Sequence, residues 1–124
     1  MDRGEVAQTR ALLEAKRPAF GKNYIWRLIW ALLLAVEGKR PEALQAMDED
    51  TLKFASVSFF LTLEAAEFYA VLGDSSKAVE WVRTAVDRGD ERLEWLRRDP
   101  RLASIHKDPR FLRIVDSMEA RQKR

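Results

Sequence analysis

The stretch that decides the fold is LEAAEFYAVLGDSSKAVEWVRTAV, residues 63–86. Its small and large apolar residues recur at spacings of three and four, which is the period of a helix rather than that of a strand. Gly73 divides the stretch, so Ala66 falls on the inner face of one helix and Ala78 and Val82 on that of the next. The spacing therefore predicts two antiparallel helices, with small side chains at the positions where they cross.

The same skeleton occurs once more upstream, at an offset of 35 residues. The residues that recur are Leu28, Ala31, Ala35, Val36, Gly38 and Ala43, and their counterparts are Leu63, Ala66, Ala70, Val71, Gly73 and Ala78. Recurrence at such a period is typical of helical repeat proteins, whose hairpins bury their apolar faces against their neighbours. The pattern indicates a helical repeat protein that works by binding.

This pattern resembles the tetratricopeptide (TPR) repeat. In residues 59–92, Ala66 stands at the small residue of the family's first helix, Tyr69 at its aromatic residue and Gly73 at the turn. The upstream copy, residues 24–58, is a degenerate repeat that lacks the aromatic residues. Neither copy retains the family's Trp or its closing Pro.

The C-terminal part carries a second, shorter echo. Asp99-Pro100-Arg101-Leu102 and Asp108-Pro109-Arg110-Phe111 lie nine residues apart. Asp followed by Pro starts a helix, because the carboxylate caps free N–H groups and Pro presets the first helical φ. Residues 74–118 are thereby similar to the terminal segment of larger bacterial TPR-containing proteins that act in regulation or signalling. This resemblance implies an accessory domain of a longer polypeptide.

Together these patterns predict an all-α fold, namely a right-handed solenoid of TPR-like helical hairpins with about two and a half repeats and a C-terminal capping helix. One domain is expected over residues 1–124. It is divided into an N-terminal helix or half repeat at 1–18, repeats at 24–58 and 59–92, and a short helix with the capping helix at 93–124. Helices are expected at 3–16, 24–37, 42–55, 59–72, 76–88 and 90–98, and from 108 onward.

Composition is that of an ordinary globular protein. The chain has 124 residues, of which 47% are hydrophobic and 34% charged, and it has no Cys, so disulfides and thiolate metal sites are excluded. Its longest apolar run, residues 28–36, is about half of the roughly 20 residues that a membrane-spanning helix needs. A secretory signal is also lacking at the N-terminus. We therefore expect a cytoplasmic protein without membrane association.

The usual signatures of catalysis are missing from the sequence. One His and no Cys exclude a His/Cys nucleophile pair, and there is no Gly-rich phosphate loop. His106 is expected to be a surface or half-buried loop residue. Asp48, Glu49 and Asp50 are adjacent on a predicted helix, so they point around its circumference and cannot converge on one metal ion. The sequence predicts a non-enzymatic protein with no catalytic residue, cofactor or metal.

The predicted function is binding of a protein or peptide. In TPR repeats the first helix of each pair lines a concave surface, so the resemblance places a candidate groove on two of the predicted helices. Its residues are Ile25, Leu28, Leu32, Val36, Phe60, Leu63, Glu67 and Val71. Such a chiefly apolar groove suits an amphipathic helix with anchors three and four residues apart. The groove is either free or filled by the chain's own terminal helices.

Two other interpretations stay open. The domain could be structural, either sealing the end of a longer repeat array or associating with itself as a homodimer. The charge distribution gives a weaker alternative, because residues 1–96 hold 13 basic and 16 acidic side chains whereas 97–124 hold 9 and 4. A solvated helix face explains the basic end most simply, and contact with nucleic acid or an acidic partner is the less favoured explanation.

Overall fold

The computed structural model describes residues 3–16, 23–57 and 59–123, and every regular element in these ranges is a helix. The all-α prediction is confirmed. The helices are α1 Arg3–Lys16, α2 Tyr24–Val36, α3 Arg40–Ala46, α4 Glu49–Ala55, α5 Phe59–Leu72, α6 Ser75–Asp87, α7 Leu93–Arg98, the 3₁₀ helix Pro100–Ile105 and α8 Pro109–Gln122. None of the helices in the described ranges has the length and hydrophobicity of a bilayer-spanning segment.

The helices are grouped in two compact units. The first unit ends at Phe54 and the second begins at Ala55, the last residue of α4. This boundary lies close to residue 59, where the second repeat is predicted to begin. A single domain over the whole chain and a TPR-like solenoid arrangement stay predictions.

In the first unit, α2 is the central helix and contacts both α1 and α3. Its apolar residues surround the helix, so burying them requires neighbours on several sides. Trp30 and Leu33 are among the residues that are buried. The guanidinium of Arg10 on α1 donates to both carboxylate oxygens of Glu37, at 2.8 and 2.9 Å. This fork ties α1 to the end of α2.

The prediction of a single helix at 42–55 is wrong. The chain forms two helices there, α3 and α4, because the backbone of Met47 leaves the helical region with φ −86° and ψ 66°. Asp48 Oδ1 then accepts hydrogen bonds from the backbone N and Oγ1 of Thr51, at 2.9 and 2.7 Å. The acidic run is therefore a helix cap followed by two acids in the first turn, where the helix dipole favours negative charge.

In the second unit, α5 and α6 form the hairpin that the stretch at 63–86 predicts. The two helices pack against each other, and Ala66 and Ala78 are both fully buried. Gly73 separates them with φ +88°, and a Cβ built there would meet no atom within 4 Å. Glycine is therefore required by the left-handed backbone and not by a lack of space. Asp74 caps α6, with its Oδ1 accepting from the backbone N of Lys77 at 3.2 Å.

The chain after α6 is more helical than expected. The loop predicted before residue 108 contains the 3₁₀ helix, which packs on α5 and α6, while α8 packs on α6 and α7. The helix predicted at 90–98 begins only at Leu93, because Asp90 uses its carboxylate to hold the backbone N of Arg92 in a turn. The predicted helix start at Asp108 is confirmed, since Asp108 Oδ1 accepts from the backbone N of Arg110 at 2.9 Å.

Candidate functional site

The residues of the predicted concave groove are divided between α2 and α5. Ile25, Leu28, Leu32 and Val36 lie on α2 in the first unit, and Leu63, Glu67 and Val71 lie on α5 in the second. Phe60 belongs to α5, and its side chain is outside the described part of the structure.

Most of these groove residues are closed to solvent. Leu28 and Leu63 are each 1% exposed, and Leu32 is also buried. Ile25 is the exposed member at 50%, while Val36 and Val71 are half-buried. Leucines buried to this degree contribute to the apolar core, so a partner would have to uncover them before it could bind them. The groove stays a prediction as a binding site.

Glu67 differs from the other groove residues because it is a buried charged group. It belongs to a polar cluster at the place where the 3₁₀ helix packs on α5. Arg101 Nη1 donates to Glu67 Oε2 at 3.0 Å, and Asp99 Oδ1 accepts from the backbone N of Arg101 at 3.0 Å. The second Asp99 oxygen, Oδ2, is buried and has no hydrogen-bond donor in the described part of the chain.

The acids of this cluster hold their protons more tightly than free acids do. Burial, and after it the charge of Asp99, raise the pKa of Glu67 to about 7 against the opposing hydrogen bond from Arg101. Burial also raises the pKa of Asp99, while the backbone N–H and the charge of Arg101 act in the opposite direction. The pKa of Glu64 is raised by burial as well. Loss of solvation therefore dominates over the single nearby guanidinium.

A comparison of three turns shows how this cluster arises. Asp90, Asp99 and Asp108 each accept a hydrogen bond from the backbone N of the Arg two residues later, and they lie nine residues apart. In the first and third turns the Arg side chain also forks onto its own Asp, with the shorter contacts at 2.8 and 2.7 Å. In the middle turn Arg101 reaches Glu67 instead. Asp99 is thus the only Asp of these three turns that accepts no hydrogen bond from the side chain of the Arg two residues later.

The cluster has the two carboxyl groups that acid–base catalysis uses, but solvent and substrate do not reach them. Asp99 is 1% exposed and Glu67 is 3% exposed, so no substrate atom reaches either carboxyl group in this conformation. A general acid or base must come within hydrogen-bond distance of the reacting group. The geometry therefore favours a role in holding the 3₁₀ helix on α5 over a catalytic one.

The other residues considered for acid–base chemistry, His106 and Asp108, make contacts with their immediate neighbours. His106 is half-buried as predicted, and its Nε2 lies 3.1 Å from the carbonyl oxygen of Leu96. The guanidinium and the backbone N–H of Arg110 hold the pKa of Asp108 down to about 2. Within the described ranges, no three His, Asp or Glu side chains are grouped so as to hold a metal ion.

An open groove lies between α6 and α8 in the second unit. It consists of two adjoining hollows of about 470 and 450 Å³ that share Val86, Asp87 and Arg121. The first hollow is lined by Arg83, Val86, Asp87, Arg113, Ile114, Ser117 and Arg121, and the second by Val86, Asp87, Gly89, Asp90, Glu91, Met118, Arg121 and Gln122. We call the two together the α6–α8 groove. Volumes of this size are within the range of ligand-binding clefts.

The first hollow has a basic rim. Arg113, Ser117 and Arg121 follow one another at spacings of four on α8, which places them on one face of that helix, and Arg83 faces the hollow from α6. Arg83, Arg113 and Arg121 form no ion pair and no side-chain hydrogen bond with another described residue. Other arginines of the unit, such as Arg110, are held by carboxylates.

The floor of the groove is apolar and its lining also includes acids. Val86, Ile114 and Met118 are buried at the base. Glu91 lines the second hollow as an exposed acid, and its carbonyl oxygen accepts from Gln122 Nε2 at 3.0 Å. Asp90 also lines this hollow, but it is 1% exposed and forms an ion pair with Arg92. Asp87 and Arg121 line both hollows, so the groove carries arginines without ion-pair partners among the described residues together with the acids Asp87 and Glu91.

The sequence contained only part of this site. The excess of basic residues at 97–124 and the spacing of Arg113, Ser117 and Arg121 are visible in the sequence, and the second of these signals indicates a polar stripe on α8. Arg83 comes from another helix, so its position beside the stripe depends on how α6 packs on α8. Family models, curated proteins and solved structures were all compared with the chain, and none of them matches it.

Proposed function

We propose that this chain is a non-catalytic, TPR-like protein-interaction domain that acts in the cytoplasm as part of a larger protein. Its binding site is the α6–α8 groove, and its partner is an acidic, amphipathic segment of another protein. The observation that carries the proposal is the set of three arginines without ion-pair partners among the described residues, placed around an apolar floor.

Unpaired arginines suit a partner that brings its own carboxylates. An arginine fork binds a carboxylate through two parallel hydrogen bonds, and it is weakly hydrated compared with an ammonium group. Arg83, Arg113 and Arg121 are exposed, so a partner can reach them without rearrangement of the helices. Val86 and Ile114 line the base and keep only 8% and 6% of their surface exposed, so they add a small apolar contact to the charged ones.

The mixed charges of the groove favour a peptide over a nucleic acid. A polyanion of phosphates gains nothing from an apolar floor, and it would be repelled by the exposed acids Asp87 and Glu91 of the lining. A peptide can present carboxylates to the arginines, apolar side chains to the floor and a basic residue to the acids. Electrostatic complementarity of this kind fixes the direction in which a partner binds.

We place the binding site in the α6–α8 groove and not in the apolar concave groove of the TPR resemblance. Leu28, Leu32 and Leu63 are buried, so they offer no free surface. Self-association of the chain, the alternative drawn from the sequence, is distinguished by the experiment below.

The test uses a fluorescein-labelled amphipathic peptide of about 18 residues, or five helical turns, built from Leu, Ala and Glu. Fluorescence anisotropy measures its binding to the whole chain. The Arg83→Glu/Arg113→Glu double variant is expected to weaken binding by about tenfold or more, because several charge–charge contacts of a few tenths of a kcal/mol reverse sign together. Binding by the unaltered chain should weaken as salt is raised.

The matched control is Arg98→Glu, which reverses an exposed arginine of α7 that does not line the groove. It should change the affinity by less than about twofold. The proposed site would be refuted if Arg98→Glu lost as much affinity as the double variant. It would also be refuted if a peptide with Lys in place of Glu bound as tightly as the acidic peptide. Sedimentation velocity over a range of concentrations tests the alternative, since a dimer that the double variant abolishes would assign the same groove to self-association.

A further inference from the structure

Glu67 and Asp99 form a pair of carboxyl groups buried between α5 and the start of the 3₁₀ helix. Both side chains are almost fully removed from solvent. Arg101 is the only residue that donates to both of them in the described part of the chain, through Nη1 to Glu67 and through its backbone N to Asp99. Asp99 Oδ2 is left buried without a donor, and the Glu67 carboxyl faces Asp99 from α5.

Two ionised carboxylates cannot satisfy each other, because both can only accept hydrogen bonds. A proton on one of them converts this contact into a donor and an acceptor, and it removes the repulsion between two buried negative charges. A buried oxygen without a donor is costly, so the arrangement is stable when the pair carries a proton.

The surrounding charges act on this proton in both directions. Glu64 faces the pair from α5 and favours keeping the proton. Arg92 from the turn before α7, Arg101 from the 3₁₀ helix and His106 after it carry or can carry positive charge and favour its loss. Burial is the largest influence on both carboxyl groups.

We propose that Glu67 and Asp99 share one proton at neutral pH, and that this proton holds the 3₁₀ helix against α5. Release of the proton at mildly alkaline pH places two negative charges beside one guanidinium and loosens the segment. Few other polar contacts oppose this, the clearest being Ser104 Oγ, which donates to the carbonyl oxygen of Ala70 at 2.8 Å. Burial raises the pKa of Glu67 to about 7, so the change falls in the physiological range.

The experiment is a carbon-detected NMR titration of the whole chain from pH 5 to pH 9. The side-chain carboxyl carbons of Glu67 and Asp99 should report a shared transition near pH 7, well above the ordinary range of acids. The backbone amide signals of Leu102 and Ser104, both in the 3₁₀ helix, should shift with the same midpoint and broaden on its alkaline side.

Variants assign the transition to the pair. Glu67→Gln should abolish it, because the amide cannot ionise but can still accept from Arg101 and donate to Asp99. Should Glu67→Gln fail to fold, Asp99→Asn retains the helix cap and should lower the midpoint of the Glu67 transition, because it removes the negative charge that opposes ionisation of Glu67. Asp108→Asn, in the equivalent turn nine residues later, should leave the transition unchanged. His106→Gln should retain the transition, because both carboxyl groups are still present.

Three outcomes would overturn the proposal. One is titration of both carboxyl carbons below about pH 5, the ordinary range of acids, which would mean that no proton is shared at neutral pH. Another is a transition that persists in Glu67→Gln, keeps its midpoint in Asp99→Asn, or disappears in His106→Gln. The third is a carboxyl transition near pH 7 without any response of the Leu102 and Ser104 amides, which would show that the proton does not hold the 3₁₀ helix.

Discussion

The buried acid at Glu67 makes the stability of the second unit depend on pH in a direction opposite to that of most proteins. Its pKa in the folded chain is about 7, against an ordinary value of 4.5. The folded state therefore binds the proton more tightly than the unfolded state does. The contribution of Glu67 to stability is largest below about pH 4.5, falls as the pH rises to about 7, and is then constant, because both states have lost the proton.

The size of the effect follows from the same two values. A difference of about 2.5 pKa units corresponds to roughly 3 kcal/mol at 1.4 kcal/mol per unit, with a slope of at most about 1.4 kcal/mol per pH unit. Glu67 is almost fully buried, so little of this is lost to solvent screening. Asp48, Asp108 and Glu119 act in the other direction because their pKa values are lowered, but their stabilisation is complete by about pH 5.

The assay is urea denaturation followed by circular dichroism at half-unit steps from pH 5.5 to pH 8. The free energy of unfolding of the unaltered chain should fall across this window by about 2 kcal/mol, since the rest of the effect lies below pH 5.5. The fall should be abolished in Glu67→Gln and retained in Asp108→Asn. The assignment to Glu67 would be refuted if the free energy of unfolding of the unaltered chain stayed constant or rose from pH 5.5 to pH 8. It would also be refuted if the free energy of unfolding of Glu67→Gln fell by the same amount.

Three further substitutions test the fold by thermal or urea unfolding. Gly73→Ala should lower the free energy of unfolding by about 1 to 2 kcal/mol because of its φ of +88° alone, since no atom obstructs the added Cβ. The control Gly4→Ala, in α1, should be neutral or stabilising. Ala78→Leu should destabilise the second unit by about 1 to 3 kcal/mol, because the site is fully buried, and the exposed Ala103→Leu should have an effect below about 0.5 kcal/mol. Asp48→Ala removes the cap of α4 and should cost about 1 kcal/mol.

The parts of the fold that the sequence predicted correctly depend on local signals. Gly38 and Gly73 have positive φ and end helices, and Asn23 and Asp74 cap the helices that follow them. A cap or a left-handed glycine acts within four residues of itself, so its identity is sufficient evidence. Asp48 shows the limit of this reasoning. Its side chain caps α4 through Thr51, but in the sequence it lies inside one predicted helix and gives no sign that a new helix begins there.

The candidate site was less predictable because it depends on contacts between distant residues. Glu67 and Arg101 are 34 residues apart in the chain, and nothing in either neighbourhood identifies the other. The pairing of Arg83 with the α8 stripe likewise depends on how two helices pack. Periodicity places Leu28 and Leu63 on an apolar face, but it does not reveal whether that face is open or buried, and both are buried.

The nine-residue spacing of the three Asp turns leads to a last prediction, for Glu67→Leu. In the outer turns an arginine forks onto the Asp two residues before it, whereas the guanidinium of Arg101 contacts Glu67. We attribute this difference to competition by Glu67 for that guanidinium. Without that competitor Arg101 should fork onto Asp99, supply the missing donor to Oδ2 and lower the pKa of Asp99 below its ordinary value.

This outcome separates two explanations of the cluster. If Glu67 mainly stabilises the fold, Glu67→Leu leaves an unpaired arginine and should lower stability by several kcal/mol at every pH. If the turn can recover its own ion pair, the variant should match the unaltered chain at pH 5.5 and exceed it at pH 8, where the buried acid is ionised and costly. Carbon-detected titration of Asp99 together with unfolding at both pH values measures this directly. An Asp99 that still titrates above about pH 5 in the variant would contradict the competition between Glu67 and Asp99 for Arg101.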